Sequence, residues 1–393
     1  MTLIHLAATV KLGITMNEIY LDNNATTPVD QRVAELVLHH LTEEFGNAGS
    51  RTHIWGSNAS KVVEKARNQI SQPIDAEPED VIFTSGATES DNLAILGLAE
   101  FARNQSKMHI ITTAVEHKAV LEPMRFLESR GFSLSVLDVD EKGYPSPDAL
   151  SSALTSETVL VSTMHVNNET GVETPLDDYV EVMKNHDAWW HVDAAQGFGK
   201  ANDVLSNKRI DMLSLSGHKM FAPKGIGALI LRRRGYERAP LAPLQFGGGQ
   251  ERGIRPGTLP VSLIAGFGKA AELASIESFE RSEACKKFRK TFLEAFLPLN
   301  PQFNGENERT LPHVVNLTIP GIDAEAVLVA VKGLISISNG SACTSSSYEP
   351  SHVLKAMGFS DERISGALRI SWNHLTPDPN WVAIVEKLQT FIR

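Results

Sequence analysis

Hydrophobic residues recur along this chain with two periods that take turns. Helical spacing at Val33, Leu36, Val37 and Leu41 predicts a helix over 30–41. It returns at Leu93, Leu96, Leu98 and Phe101, over 88–102, and again over 117–130, where Gly131 stands at the place of a C-terminal cap. Between these stretches lie short apolar runs rich in β-branched residues: 81–83, 109–112, 134–138, 159–163, 189–192, 212–215 and 226–231. Apolar runs of that length predict strands buried on both faces. Strands alternating with helices predict an α/β domain on a mostly parallel sheet. Such sheets gather ligands at the carboxyl ends of their strands.

The pattern changes at 245–260, where Gly247–Gly249, Gly253, Pro256 and Gly257 cluster, and a helical stretch follows from 262 to 296. A boundary near 265 divides a large domain, 16–265, from a smaller α+β domain, 266–393, with a last helix at 378–392. Residues 16–30 are expected to pack with the smaller domain. Residues 1–15 read as a loose extension. They lack the charged start, apolar centre and small-residue cleavage site of a signal peptide. No run of about 18 apolar residues predicts a membrane span.

Charge and cysteine content narrow the function. The 37 basic and 47 acidic residues give a net charge of −10, so direct nucleic-acid binding is not expected. The run Arg232–Arg234 reads as a solvated surface. The two cysteines, Cys285 and Cys343, make no disulfide framework and suit a reducing, cytoplasmic setting. They also exclude a cysteine-based zinc cluster. His39 and His40, adjacent on a helix, should point apart, so no metal site is expected.

Chemistry concentrates where strands end. Ser216-Gly217-His218-Lys219 places a lysine just after a strand, where its amine can form a Schiff base with a carbonyl cofactor. Alone, the tetrapeptide fits a surface lysine as well. Asp193 ends the preceding strand. A carboxylate there suits a protonated pyridine nitrogen, though it equally suits a helix cap at Ala194. Thr84-Ser85-Gly86-Ala87-Thr88 passes from a strand into a helix, so the amides of Ala87 and Thr88 can cradle a phosphate. Thr88 and Asp91 have the spacing of a capping box. His117 follows another strand and can stack on a ring or move protons. Cys343 lies in a run of small residues, 339–347, that should leave its thiol accessible. Cys285, on a predicted helix, reads as incidental.

These residues sit in motifs that together resemble the cysteine desulfurases of the NifS/IscS type, fold type I enzymes dependent on pyridoxal 5'-phosphate (PLP). The resemblance runs from about Tyr20 to Ser371. It is carried by Tyr20-Leu-Asp-Asn-Asn-Ala-Thr-Thr-Pro28, Phe45-Gly-Asn47, Thr84-Ser-Gly-Ala-Thr-Glu-Ser-Asp-Asn92, Glu116-His-Lys-Ala-Val120, Met164-His-Val-Asn-Asn-Glu169, His191-Val-Asp193, Ser216-Gly-His-Lys219, Pro223-Lys-Gly-Ile-Gly227 and Gly340-Ser-Ala-Cys-Thr-Ser345. It implies a fold type I architecture, a homodimer, and a sulfurtransferase that converts L-cysteine to L-alanine with persulfide formation on Cys343. Lys219 would hold the cofactor aldehyde, Asp193 its ring nitrogen, and Gln196 its ring hydroxyl. His117 would stack on the ring and serve in proton transfer. Ala87, Thr88, Ser216 and His218 would hold the phosphate, and Thr258 would reach the partner subunit's phosphate. Asn168 would lie beside both cofactor and substrate, and Asn47 and Arg369 would meet the substrate, Arg369 through its carboxylate. The persulfide would pass to a protein acceptor, for iron–sulfur cluster assembly or for a dedicated thio-modification such as DNA phosphorothioation. Ser371-Trp-Asn-His374 departs from the family, and the sequence ends at Arg393, just past the last predicted helix. A C-terminal tail that docks an iron–sulfur scaffold is therefore not expected. The rivals are an aminotransferase or selenocysteine lyase of the same fold, and an inactive scaffold.

Overall fold

The computed structural model describes residues 18–339 and 350–391. The extension 1–15 and the Cys343 segment lie outside them. Elements follow in the order β1 (Ile19–Tyr20), α1 (Gln31–Thr42), α2 (Ile54–Ser71), β2 (Val81–Thr84), α3 (Ala87–Leu96), α4 (Ala99–Asn104), β3 (His109–Thr113), α5 (Lys118–Glu128) and β4 (Ser133–Leu137). Then come α6 (Pro147–Ala153), β5 (Thr158–Met164), α7 (Leu176–Met183), β6 (Trp189–Asp193), β7 (Met212–Ser216), β8 (Gly227–Leu231), α8 (Val261–Ile276) and α9 (Ser278–Phe296). Seven strands form one sheet in the order β2-β8-β7-β6-β5-β3-β4. Only β8 runs against its neighbours. The fold is therefore α/β with a mostly parallel sheet.

Strand side chains alternate between faces, and here each face feeds its own core. Trp190, Val192, Leu213 and Leu215 enter one core with Val33 of α1, Val63 of α2 and Phe267 of α8. Trp189, Met212, Leu229 and Leu231 enter the other, with Leu93 of α3 and Val120 and Met124 of α5. Helix α8 approaches α2 closely because Gly268 has no side chain. A Cβ there would stand 2.7 Å from Ala66 Cα.

A second sheet follows, four strands all antiparallel: Gln302–Phe303, Val314–Thr318, Ala367–Ser371 and Ser338–Asn339. Its core joins Phe288, Phe292 and Phe296 of α9 to Trp372 and to Trp381 of the last helix. Leu21 belongs to this core, and β1 pairs with Ile335–Ser336, so the chain's early segment packs on the side of the second sheet.

Three predicted helices differ in extent. The stretch 88–102 divides into α3 and α4, because Gly97 lies against a passing chain and its carbonyl accepts from Ala242 N–H (2.8 Å). The stretch 262–296 breaks at Glu277, whose carboxylate turns to Arg32 and Arg281. The last helix is Trp381–Gln389, held to its start by Asn380 Oδ1, which accepts from Ala383 N–H after Pro379. The capping box at Thr88 and Asp91 does not form. Gly86 is the cap residue, Thr88 is already helical, and Asp91 is fully buried. Arg232 is also buried rather than solvated, donating to the carbonyls of Ile74 (2.7 Å), Leu205 (2.6 Å) and Asn207 (2.9 Å). Of the three arginines only Arg233 is exposed.

Candidate active site

The carboxyl ends of β2, β3, β5, β6 and β7 all reach one edge of the large sheet. A cavity of about 350 Å³ opens there. Six expected site residues line it from the sheet side: Ala87, Thr88, His117, Asp193, Ser216 and Lys219. Asn168, Gln196, His218 and Arg369, also expected, line it too.

Each is placed by local structure. Ser216 is the last residue of β7, and the turn after it brings Lys219 round so that Nζ donates to the carbonyls of Asn24 (2.5 Å) and Ala25 (2.9 Å). Within the same turn, His218 Nδ1 meets Thr26 Oγ1 at 3.1 Å, and burial pulls its pKa down to about 4, with Lys219 adding to the effect. Asp193 closes β6, and its Oδ1 accepts from Ala195 N–H (2.9 Å). The carboxylate therefore caps its own turn, and its residue also lines the cavity. Burial raises its pKa. The Ala195 amide, His117 and Lys219 pull against that rise. His117 caps α5 by accepting from Ala119 N–H at Nδ1 (3.1 Å), and burial lowers its pKa against the pull of Asp193. Helix α3 starts at Ala87 with no side-chain cap, so its first amides are not claimed by its own cap residue.

The arginine expected to meet the substrate comes from the other sheet. Arg369 is 1 % exposed. Its Nη2 donates to Asp22 Oδ1 (2.8 Å), its Nη1 to Asn168 O (3.1 Å), and its Nε has no partner among the described residues. Asn47 and Thr258 are not brought to this cavity. Both are exposed, and Asn47 Oδ1 accepts from Gly49 N–H in its own turn. Cys343 lies outside the described residues. His39 and His40 point less far apart than their adjacency predicts: with Glu44 they bring ligand atoms within 4.8 Å of one another.

Several residues of the site carried no signal of their own. Asn24 links two of its members, because its carbonyl accepts from both Lys219 and Gln196. Asp22 is the arginine's resident counter-ion. Beneath Asp193 lie two fully buried carboxyls, Asp91 and Glu116, both pushed well up, first by burial and then by Asp193. All four stand inside the motifs quoted above; for Asp22, Asn24 and Glu116 position in a motif was the only available signal, and Asp91 offered only the capping-box spacing that did not form.

Glu169, also buried, accepts from Ser351 Oγ, and burial raises its pKa from 4.5 to about 7. A raised acid pKa stabilises the fold fully below pH 4.5 and loses that contribution as pH rises through 7. The loss amounts to about 3 kcal/mol at 1.36 kcal/mol per unit. Glu169→Gln cannot titrate. Between pH 5.5 and 8 it should gain about 2 kcal/mol relative to wild type, measured by urea unfolding at both pH values. A difference that stays constant with pH would refute this.

The residues present fit PLP. Lys219 supplies an amine, Asp193 a buried anion, α3 a set of helix N-terminal amides, and Gln196 Oε1 is buried with no partner among the described residues. At the carboxyl edge of a parallel sheet these define a PLP-type site of fold type I. The chain belongs to the aminotransferase class-V family, whose profile matches residues 19–377, and within it to the cysteine desulfurases of the NifS/IscS type. It is 44 % identical over 361 residues to "Cysteine desulfurase IscS" of Neisseria meningitidis serogroup C, covering 92 % of this chain and 88 % of that one. Among solved structures it resembles a NifS-like protein (TM-score 0.85, 34 % identity, 95 % of this chain and 98 % of that one). It also resembles "SspA in complex with cysteine" (TM-score 0.80, 37 % identity, 91 % and 100 %).

Proposed function

We propose that this protein is a PLP-dependent cysteine desulfurase: L-cysteine and the Cys343 thiol give L-alanine and a Cys343 persulfide, which passes to a protein acceptor. The observation that carries this reading is the meeting of Lys219, Asp193, His117 and Arg369 around one cavity, drawn from two sheets. Relatives that bear the desulfurase name, and a neighbour solved with cysteine, support the substrate.

When bound, PLP supplies an aldehyde for amines and a ring that accepts electrons. Lys219, whose amine the carbonyls of Asn24 and Ala25 steady, would hold the aldehyde and would serve as the base for the substrate's Cα proton. Asp193 would balance a protonated ring nitrogen, whose charge would offset the cost of burying this carboxylate. His117 would stack on the ring and pass protons; burial favours its neutral imidazole, the form that can accept one. Arg369 receives the substrate carboxylate as it lets go of Asp22, one carboxylate exchanged for another. Asn168, in the same wall, would complete substrate binding. Thr258 lies away from the cavity of its own chain, which suits a role across a homodimer. Exposed Leu38, Leu41 and the stacked pair Phe45 and Trp55 offer apolar surface for that contact. No helix among the described residues is long and apolar enough to cross a membrane. The two cysteines support a reducing, cytoplasmic setting.

The test is stoichiometry. Purified protein given L-cysteine and a thiol reductant should release sulfide and L-alanine in equal amounts. Keto acid in place of alanine would make it an aminotransferase. Turnover of selenocysteine alone would make it a selenocysteine lyase, and no product at all would leave a scaffold.

A further inference from the structure

A second cavity, of about 70 Å³, lies between the two sheets' cores on the far side of the Lys219 turn. A site needs about 10–15 Å³ by this measure for one water molecule, so it has room for a small polyatomic ion. Met220 and Phe221 form one wall. Helix α9 forms another through Ser278, Arg281, Ser282 and Cys285. Among the described residues its lining contains no carboxylate.

Two donors point to what it holds. Lys200 Nζ donates to Gln196 O (3.0 Å), one of three donors an ammonium carries, and no ion pair is recorded for it among the described residues. His313 is 6 % exposed, and its Nε2 is buried with no partner among the described residues. Arg281 differs from Lys200 in being neutralised, since Glu277 takes it at 2.8 Å and Asp30 lies 4.0 Å off. Lys200 is thus the cation of this wall that lacks a counter-charge. Its surroundings agree: burial, followed by Lys219, pulls its pKa down to about 7, with only the Cys285 thiol working the other way. An anion in the cavity would supply what the wall lacks, and the neutral His313 ring would donate a hydrogen bond to it.

We propose that this cavity binds a small tetrahedral oxyanion of the sulfate or phosphate class, held by Lys200 and His313 with the Ser278 and Ser282 hydroxyls beside them. A zwitterionic amino acid is disfavoured, because its ammonium would find no carboxylate in the wall. The site adjoins the reaction centre without belonging to it. Lys200 grips the backbone of Gln196, and Met220 follows Lys219, so occupancy would stiffen the back of the active-site wall. The inference stands apart from the reaction assigned above.

The test uses the holoenzyme, whose bound cofactor keeps its own phosphate cradle filled. Sodium sulfate is titrated against sodium chloride at matched ionic strength, and the midpoint of thermal unfolding is followed. Wild type should show a saturable rise with sulfate beyond that with chloride. Lys200→Met and His313→Leu should each raise the apparent Kd for sulfate at least about tenfold, a loss of about 1.4 kcal/mol. Either variant suffices if the other does not fold. Wild type tracking chloride, or a folded variant that responds as wild type does, would overturn the proposal.

Discussion

Cys343→Ser should abolish release of both sulfide and alanine from L-cysteine, by at least about a thousandfold, while leaving cofactor binding intact. The step it removes is attack of a thiolate on the substrate's sulfur, which forms a new S–S bond as the C–S bond breaks. A thiol near its ordinary pKa of about 8.5 is partly ionised at neutral pH. A serine hydroxyl is not, and its oxygen is a poor nucleophile toward sulfur. The other cysteine cannot stand in: Cys285 is buried, and burial pushes its thiol up to about 11. The measurement is sulfide and alanine together, with the visible cofactor band as the control for folding. A variant that keeps a tenth of wild-type activity would take the persulfide away from Cys343.

What could be read in the sequence was whatever a short window contains. The large sheet was legible because buried parallel strands are continuous apolar runs, and 189–192 and 212–215 fall within one residue of β6 and β7. The turns at strand ends were legible for the same reason, since Asp193, Ser216 and Lys219 each sit beside a strand. Contacts between distant segments were not. Asp22 meets Arg369 across 347 positions and Ser351 meets Glu169 across 182, and nothing near either residue records its partner. The break at Gly97 depends on the chain at Ala242, and the burial of Arg232 on carbonyls from two distant segments, Ile74 in one and Leu205 and Asn207 in the other. In each case a tertiary neighbour overrode a local tendency.

Fold position explains why the carboxyls are useful as well as why they were hidden. Asp91, Glu116 and Asp193 crowd beneath one cavity, and burial disfavours charge on all three. Asp193 differs in having the Ala195 amide, His117 and Lys219 to favour its anion. Asp91 has instead a buried histidine, His191, whose Nε2 lies 3.5 Å away and whose ring is kept neutral, burial pulling it to about 3. The neighbours therefore separate one carboxylate suited to a cationic ring nitrogen from two on which burial and Asp193 disfavour charge.

Lys219→Ala should lower turnover by about 10³, within the 10²–10⁴ that a positioned proton-transfer group contributes. The amine's place is fixed by two carbonyls, so a freely diffusing base would have to reach a spot already oriented in wild type. Lys219→Arg should not restore activity. A guanidinium keeps the charge but does not give up its proton in the working pH range. The two variants then differ in a way that a merely structural lysine would not produce. Lys219 depresses the pKa values of both His117 and His218. Removing its charge in Lys219→Ala should let both rise, whereas Lys219→Arg should hold them down. Imidazole proton resonances followed against pH would show His117 titrating higher in the alanine variant than in the arginine variant. If Lys219→Arg matched wild type in turnover, charge alone would suffice and Lys219 would lose its place as the base.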